Sequence, residues 1–272
     1  MTRFRRGQRW TPAAGGPVLI ALLSLALALA STASADPITA LPDTIEKVRP
    51  SVVGIGTYKR TRSPSTKLEA TGFAIRDGRH VVTNAHALAD SLDRGEGEFQ
   101  SVFVGRGNDG EVRRAEAIAV DEDQDLAVLR IEGDPLPALT LGDSESVREG
   151  DLLAFTGYPI GLVLGLYPAT HRGIVAAVTP LAVPAGRGRE LDARTLRRLR
   201  NQPPGVFQLD ATAYPGNSGS PLYDPVSGEV VGIINRVLVQ GSRERVLSHP
   251  SGISYAIPVN LLDDLLEEAE LR

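Results

Sequence analysis

Apolar residues in this chain fall in short runs, and each run stops at a turn signal. Between Ser51 and about Leu141 the runs are SVVGIGTY, ATGFAIR, HVVTNAHAL, SVFV, AEAIAVD and DLAVLRI. Asp77-Gly78 and Asn108-Asp109-Gly110 separate them as turn formers. A second series spans about 150–258: DLLAFTGYP, HRGIVAAV, GVFQLDA, GSPLYD, EVVGIINRVLV and ISYAIP. Valine and isoleucine dominate, and no long helical period lies between the runs. The pattern predicts an all-β fold of barrels or sandwiches, not a chain of βαβ units. Two short helices are expected beside the strands. Asp43–Val48 has room for a turn or two before Pro50 stops it, within a lead-in over 36–50. Leucines at 261, 262, 265, 266 and 271 share one helical face and predict a C-terminal helix over about 259–271.

One stretch departs from this pattern. Residues 184–204 read PAGRGRELDARTLRRLRNQPP, with arginines at 187, 189, 194, 197, 198 and 200 facing only Glu190 and Asp192. A solvated surface loop is the simpler expectation; a regulatory lid or a contact for an anionic partner is the sharper one.

The first 35 residues change the picture of location. Arg3, Arg5, Arg6 and Arg9 precede Val18–Ala30, a run of 13 residues that is apolar except for Ser24, and Ala33-Ser34-Ala35 follows. That order is the pattern of a secretory signal peptide, and the run is short for a membrane span. A periplasmic or secreted protein is therefore expected, with no stable membrane insertion once the segment is removed; retention as an anchor is the alternative. Taking its four arginines from the 29 Lys and Arg leaves 25 against 33 acidic residues, a net of −8. An acidic chain of this kind is not a nucleic-acid binder by charge. There is no cysteine, which excludes disulfides, thiolate metal sites and cysteine nucleophiles. No His, Asp and Glu set has metal-site spacing, so neither a metal nor a cofactor is expected.

The chemistry is concentrated in ATAYPGNSGSPL, residues 211–222. Ser218 lies between Gly216-Asn217 and Gly219, where a turn can expose a hydroxyl and aim backbone N–H groups at one point. Acyl transfer needs that arrangement. A serine hydroxyl also needs a neutral imidazole to take its proton and a carboxylate to orient the imidazole. His86 follows a β run in TNAHA, and Asp125 opens the run DLAVLRI. Asp121 and Asp123 are the alternative acids, but neither opens the apolar strand. His80 and His249 have surface, turn-like contexts, and His171 has the context of a structural hydrogen-bonding residue. The chain order His86, Asp125, Ser218 is that of chymotrypsin-type proteases.

Five motifs in order then carry a family resemblance. ATGFAIRDGRHVVTNAHAL, DLAVLRI, LGDSESVREGDLLAFTGYPIGL, QLDATAYPGNSGSPL and GISYAIPVN resemble the corresponding segments of HtrA/Deg-type serine proteases, from about Ser51 to Asn260. The resemblance implies a chymotrypsin-like double β-barrel, the first barrel over about 51–141 and the second over about 150–258. It implies Ser218 as nucleophile, His86 as general base, Asp125 as orienting carboxylate, and the N–H groups of Gly216 and Ser218 as oxyanion hole. Asn217 would shape the turn.

The chain departs from the family pattern at Ser220, Tyr158, Ile160 and Ile234. Thr212, Ile233, Ile234 and Asn235 are the expected pocket residues. With no acid at Thr212, cleavage after small or medium aliphatic residues is expected. The motifs end about a dozen residues before Arg272, so no PDZ domain is expected within this sequence. The resemblance implies an exported endopeptidase in envelope protein quality control, acting on unfolded or damaged polypeptides, with homo-oligomers allowed. The competing expectation is a catalytically weak protease fold that binds exposed peptide as a chaperone or scaffold.

Overall fold

The computed structural model describes residues 36–159, 165–180, 205–235 and 252–271. The signal-like segment, the arginine-rich 184–204 stretch and His249 lie outside these residues. The chain opens with helix α1 (Pro37–Val48). Six strands follow: β1 (Val52–Tyr58), β2 (Thr66–Ile75), β3 (His80–Thr83), β4 (Phe99–Val104), β5 (Glu111–Asp121) and β6 (Leu126–Ile131). Six more are β7 (Leu152–Gly157), β8 (Ala169–Pro180), β9 (Gly205–Asp210), β10 (Pro221–Tyr223), β11 (Val230–Asn235) and β12 (Ile253–Pro258). A 3-10 turn over Val259–Leu262 leads into helix α2 (Asp263–Glu268). Each set of six strands closes into a barrel, in the orders β1-β2-β3-β6-β5-β4 and β10-β11-β12-β9-β8-β7. The double barrel matches the expectation from the sequence.

Burial explains why so many runs are continuously apolar. A strand with one wet face alternates apolar and polar residues; a strand covered on both faces does not. Val53, Ile55, Val81, Val102 and Leu129 fill the first barrel. Phe155, Phe207, Leu209, Leu222 and Ile234 fill the second. Their neighbours Val52, Val82, Val128, Ala154 and Ile233 point the other way, into a third cluster that also takes in Tyr223, Leu262, Leu265 and Leu266. Strands β1, β3, β6 and β11 therefore bury both faces.

The helices differ from expectation in length. α1 begins at Pro37, six residues earlier than the pattern suggested, because Asp36 caps it: Ile38 N donates to Asp36 Oδ1 at 3.2 Å. Pro42 removes one helical hydrogen bond without ending the helix. The C-terminal helix is shorter than the expected 259–271. It starts as a 3-10 turn, packs α2 against β5 and β6, and stops where Glu270 adopts φ +58°.

Candidate active site

Strand pairing builds the first half of the site. β3 and β6 are antiparallel, with Thr83 opposite Ala127, so the end of β3 lies beside the start of β6. Past β3 the chain makes a 3-10 turn over Ala85–Ala87 that carries His86. Before β6, Asp125 sits at φ +56°, a left-handed conformation that asparagine and aspartate tolerate better than most residues. The two side chains meet: His86 Nδ1 is 2.6 Å from Asp125 Oδ2. The backbone N–H of His86 donates to Asp125 Oδ1 at 2.8 Å, and Asn84 Nδ2 donates to the Asp125 carbonyl at 2.9 Å. An ionised carboxylate only accepts, so this contact places the neutral ring's proton on Nδ1 and leaves the Nε2 lone pair open. Asp121 is turned away to its own loop, where its Oδ1 accepts from the N–H groups of Asp123 and Gln124.

The second half is a backbone turn between β9 and β10. Asn217 N donates to Tyr214 O at 3.0 Å, and Gly216 has φ +97°. Proline at the second position and a positive φ at the third define a type II turn, which glycine enters without strain. A second turn follows at once, Ser220 N donating to Asn217 O at 3.0 Å. Among the described residues, the N–H groups of Gly216 and Ser218 donate to no protein acceptor. Ser218 is buried to 6% exposure, and its hydroxyl forms no hydrogen bond to His86. Asn217 is fully buried, and its side-chain amide has no partner among the described residues. Ser220, a departure from the family pattern, fits because it lies against Gly157: a Cβ on Gly157 would come within 2.0 Å of Ser220 Oγ.

The expected pocket residues are distributed differently. Ile233 and Ile234 have no exposed surface; one packs in the layer shared by the barrels and helices, the other inside the second barrel. They form core, not an open pocket wall, because β11 is covered on both faces. Thr212 lies in a loop fixed to β12 by Ser254, whose hydroxyl accepts from Ala213 N at 2.7 Å and donates to Ala211 O at 2.6 Å. Asn235 reaches the first barrel, where its Nδ2 donates to Asp125 Oδ2 at 2.7 Å. Sequence reading missed this contact, although Asn235 shares a strand face with Ile233, which points toward the other barrel.

Two further side chains have environments that the sequence did not reveal. Tyr158 is buried, its hydroxyl donates to Val52 O at 3.3 Å, and burial pushes its pKa up to about 12. It therefore stays a neutral donor at ordinary pH. His171 stacks on Phe155, ring centres 5.0 Å apart, and its Nε2 is buried without a partner among the described residues. Burial lowers its pKa. The expected surface role of His80 becomes a contact of 2.7 Å with Asp77. Beside His86 lies a cleft of about 350 Å3, walled by Arg62, Lys67, Glu69, Asp90 and Glu98.

Comparison with known proteins agrees with this architecture. The trypsin-like peptidase domain family matches residues 70–233. A probable periplasmic serine endoprotease, DegP-like, of Halomonas elongata is 31% identical over 198 residues, covering 73% of this chain and 34% of its own length. Serine protease HTRA4 of Mus musculus is 32% identical over 238 residues, covering 84% of this chain and 40% of its own. The chain thus spans well under half the length of these curated relatives. Among solved structures, the HtrA-type protease AlgW with tripeptide superposes with a TM-score of 0.61 at 25% identity, over 84% of this chain and 62% of its own. The family match covers more than half of the sequence and includes His86, Asp125 and Ser218, so this chain belongs to the trypsin-like peptidase family, in its HtrA-type branch.

Proposed function

We propose that the domain is an exported serine endopeptidase that cleaves unfolded polypeptides with Ser218, His86 and Asp125. The observation that carries this reading is the His86–Asp125 contact of 2.6 Å, which fixes the imidazole with Nε2 available as a base. When substrate enters, His86 Nε2 takes the Ser218 proton as Oγ attacks the scissile carbonyl carbon. The carbonyl oxygen becomes an oxyanion held by the N–H groups of Gly216 and Ser218. The imidazolium, stabilised by Asp125, then protonates the leaving amine, and an acyl-enzyme remains. Water repeats the sequence with His86 as base and releases the acid product. The missing Ser218–His86 hydrogen bond forms in the substrate complex, as such contacts often do.

Export follows from the signal-like N-terminal segment and agrees with the periplasmic name of the Halomonas elongata relative. Thr212 supplies no carboxylate to hold Arg or Lys, so cleavage follows small or medium aliphatic residues. A fluorophosphonate probe tests the nucleophile. Labelling of the wild type that disappears in Ser218→Ala is expected, and an unlabelled but folded wild type identifies a peptide-binding scaffold instead. A peptide-library digest tests the pocket; dominant cleavage after Arg or Lys overturns it. EDTA leaves the rate unchanged if the triad chemistry is metal-free.

A further inference from the structure

Thr71 lies on β2 of the first barrel, far in sequence from the nucleophile, and has no exposed surface. All of its polar groups are engaged in one place. Its N–H donates to Ser218 O at 2.8 Å, and its hydroxyl donates to Gly216 O at 2.7 Å. The same hydroxyl accepts from Tyr158 N at 3.0 Å, and its carbonyl accepts from Thr83 Oγ1 at 2.7 Å. Thr83 is three residues from His86 on the chain, so this network reaches the strand that delivers the base.

These bonds fix the turn at the points that decide where its free N–H groups aim. The Gly216–Asn217 peptide is held at both ends, its carbonyl by Thr71 Oγ1 and its N–H by Tyr214 O. The Ser218 carbonyl is held by Thr71 N. A peptide group is planar, so holding these carbonyls restricts the rotation of the neighbouring Pro215–Gly216 and Asn217–Ser218 peptides. Those two peptides carry the N–H groups assigned to the oxyanion. Side-chain capture matters here because a type II turn and its flipped alternative differ mainly in the orientation of one peptide. Without the hydroxyl, the buried Gly216 carbonyl and Tyr158 N–H are both left unpaired, and the turn gains a reason to rotate.

We infer that Thr71 is a positioning residue for the oxyanion hole, acting through the carbonyls of Gly216 and Ser218. The inference rests on the reading of Ser218 as nucleophile, and it concerns transition-state geometry more than substrate affinity. Thr71→Val keeps the shape and removes the hydroxyl. A misaimed donor costs somewhat less than a deleted one, so kcat falls by about 10–100-fold with KM within about two-fold. Thr71→Ser, which retains the hydroxyl, restores most of kcat. A peptide aldehyde separates this role from a general packing defect, because its adduct with Ser218 bears the same oxyanion; its affinity falls in parallel with kcat while product-peptide affinity holds. Thr71→Val with kcat and aldehyde affinity within two-fold of wild type overturns the inference. Thr71→Ala replaces Thr71→Val if the latter does not fold. If wild type itself neither labels nor turns over, the enzyme reading fails separately, and crystal structures decide about Thr71: Gly216 leaving positive φ in Thr71→Val supports its role, and an unmoved turn refutes it.

Discussion

The first barrel brings to the candidate active site two side chains that already touch, whereas the second brings a turn whose working groups are backbone amides. His86 and Asp125 are joined by two hydrogen bonds within one barrel, set by neighbouring strand ends. The Ser218 turn is set by Gly216, by its own short hydrogen bonds and by residues of the first barrel. Each half also borrows from the other: Asn235 of β11 donates to Asp125, and Thr71 of β2 holds the turn. The proposed base is therefore prepared by local structure, while the proposed nucleophile depends on how the barrels meet.

The largest effect comes from removing either half's central group. Ser218→Ala and His86→Ala are each expected to lower kcat by about 10⁶-fold, and the double variant to lose little more, because the two act as one unit. Asp125→Asn is expected to lower kcat by about 10⁴-fold, since the amide favours the wrong imidazole tautomer. Steady-state kinetics on an unfolded substrate check all three. Asp125→Asn at near-wild-type turnover moves the orienting role to another acid and breaks the comparison at its first half.

Asn235 sharpens the comparison at intermediate size. Replacing it by leucine removes a donor to a charged acceptor, a loss of about 1.5–3 kcal/mol, or roughly 10–100-fold in rate where the bond acts in the transition state. Asn235→Asp is expected to be worse, because a second carboxylate faces Asp125 at hydrogen-bond range. If Asn235→Leu instead changes the preferred residue before the cleaved bond and leaves kcat intact, Asn235 belongs to the pocket and the barrels are less interdependent than the contact suggests.

This division also explains what could be read in advance. The His86–Asp125 contact was legible because each residue sits at the edge of an apolar run, where neighbouring strand ends bring side chains together. The turn at Ser218 was legible from its glycines. The roles of Asn235 and Thr71 were not, since each depends on a partner more than a hundred residues away, at separations of 110 and 145. A trace existed: both are polar residues inside continuously buried stretches of strand, where an unpaired polar group is costly. Ile233 and Ile234 were misplaced for the related reason that a doubly covered strand hides which face looks at a pocket. The early start of α1 was written in Asp36-Pro37, a cap and first-turn pair that the reading from Asp43 onward passed over.

The smallest expected effect lies in the second barrel, away from the reacting groups. His171 stands opposite Phe155 in the β7–β8 register and stacks on its ring, with Tyr214 at 6.0 Å. Burial lowers its pKa, so the folded protein favours the neutral ring more than the unfolded chain does. Below the ordinary histidine value of about 6.5 the unfolded chain therefore binds more protons, and stability falls as pH drops from there through the folded value. Asp77 and Asp143, held below the usual carboxylate range first by the Arg79 N–H and the Asn260 amide respectively, lose their contributions only at lower pH. Melting temperatures between about pH 7.5 and 5.5 isolate the histidine term. His171→Phe keeps a ring against Phe155 and removes the titration, so its melting temperature should fall less than that of wild type over this window. The two proteins differ only at position 171, so every other contribution cancels in the difference. Identical slopes in the two proteins would mean that the protonated His171 ring finds a hydrogen-bond acceptor in the fold.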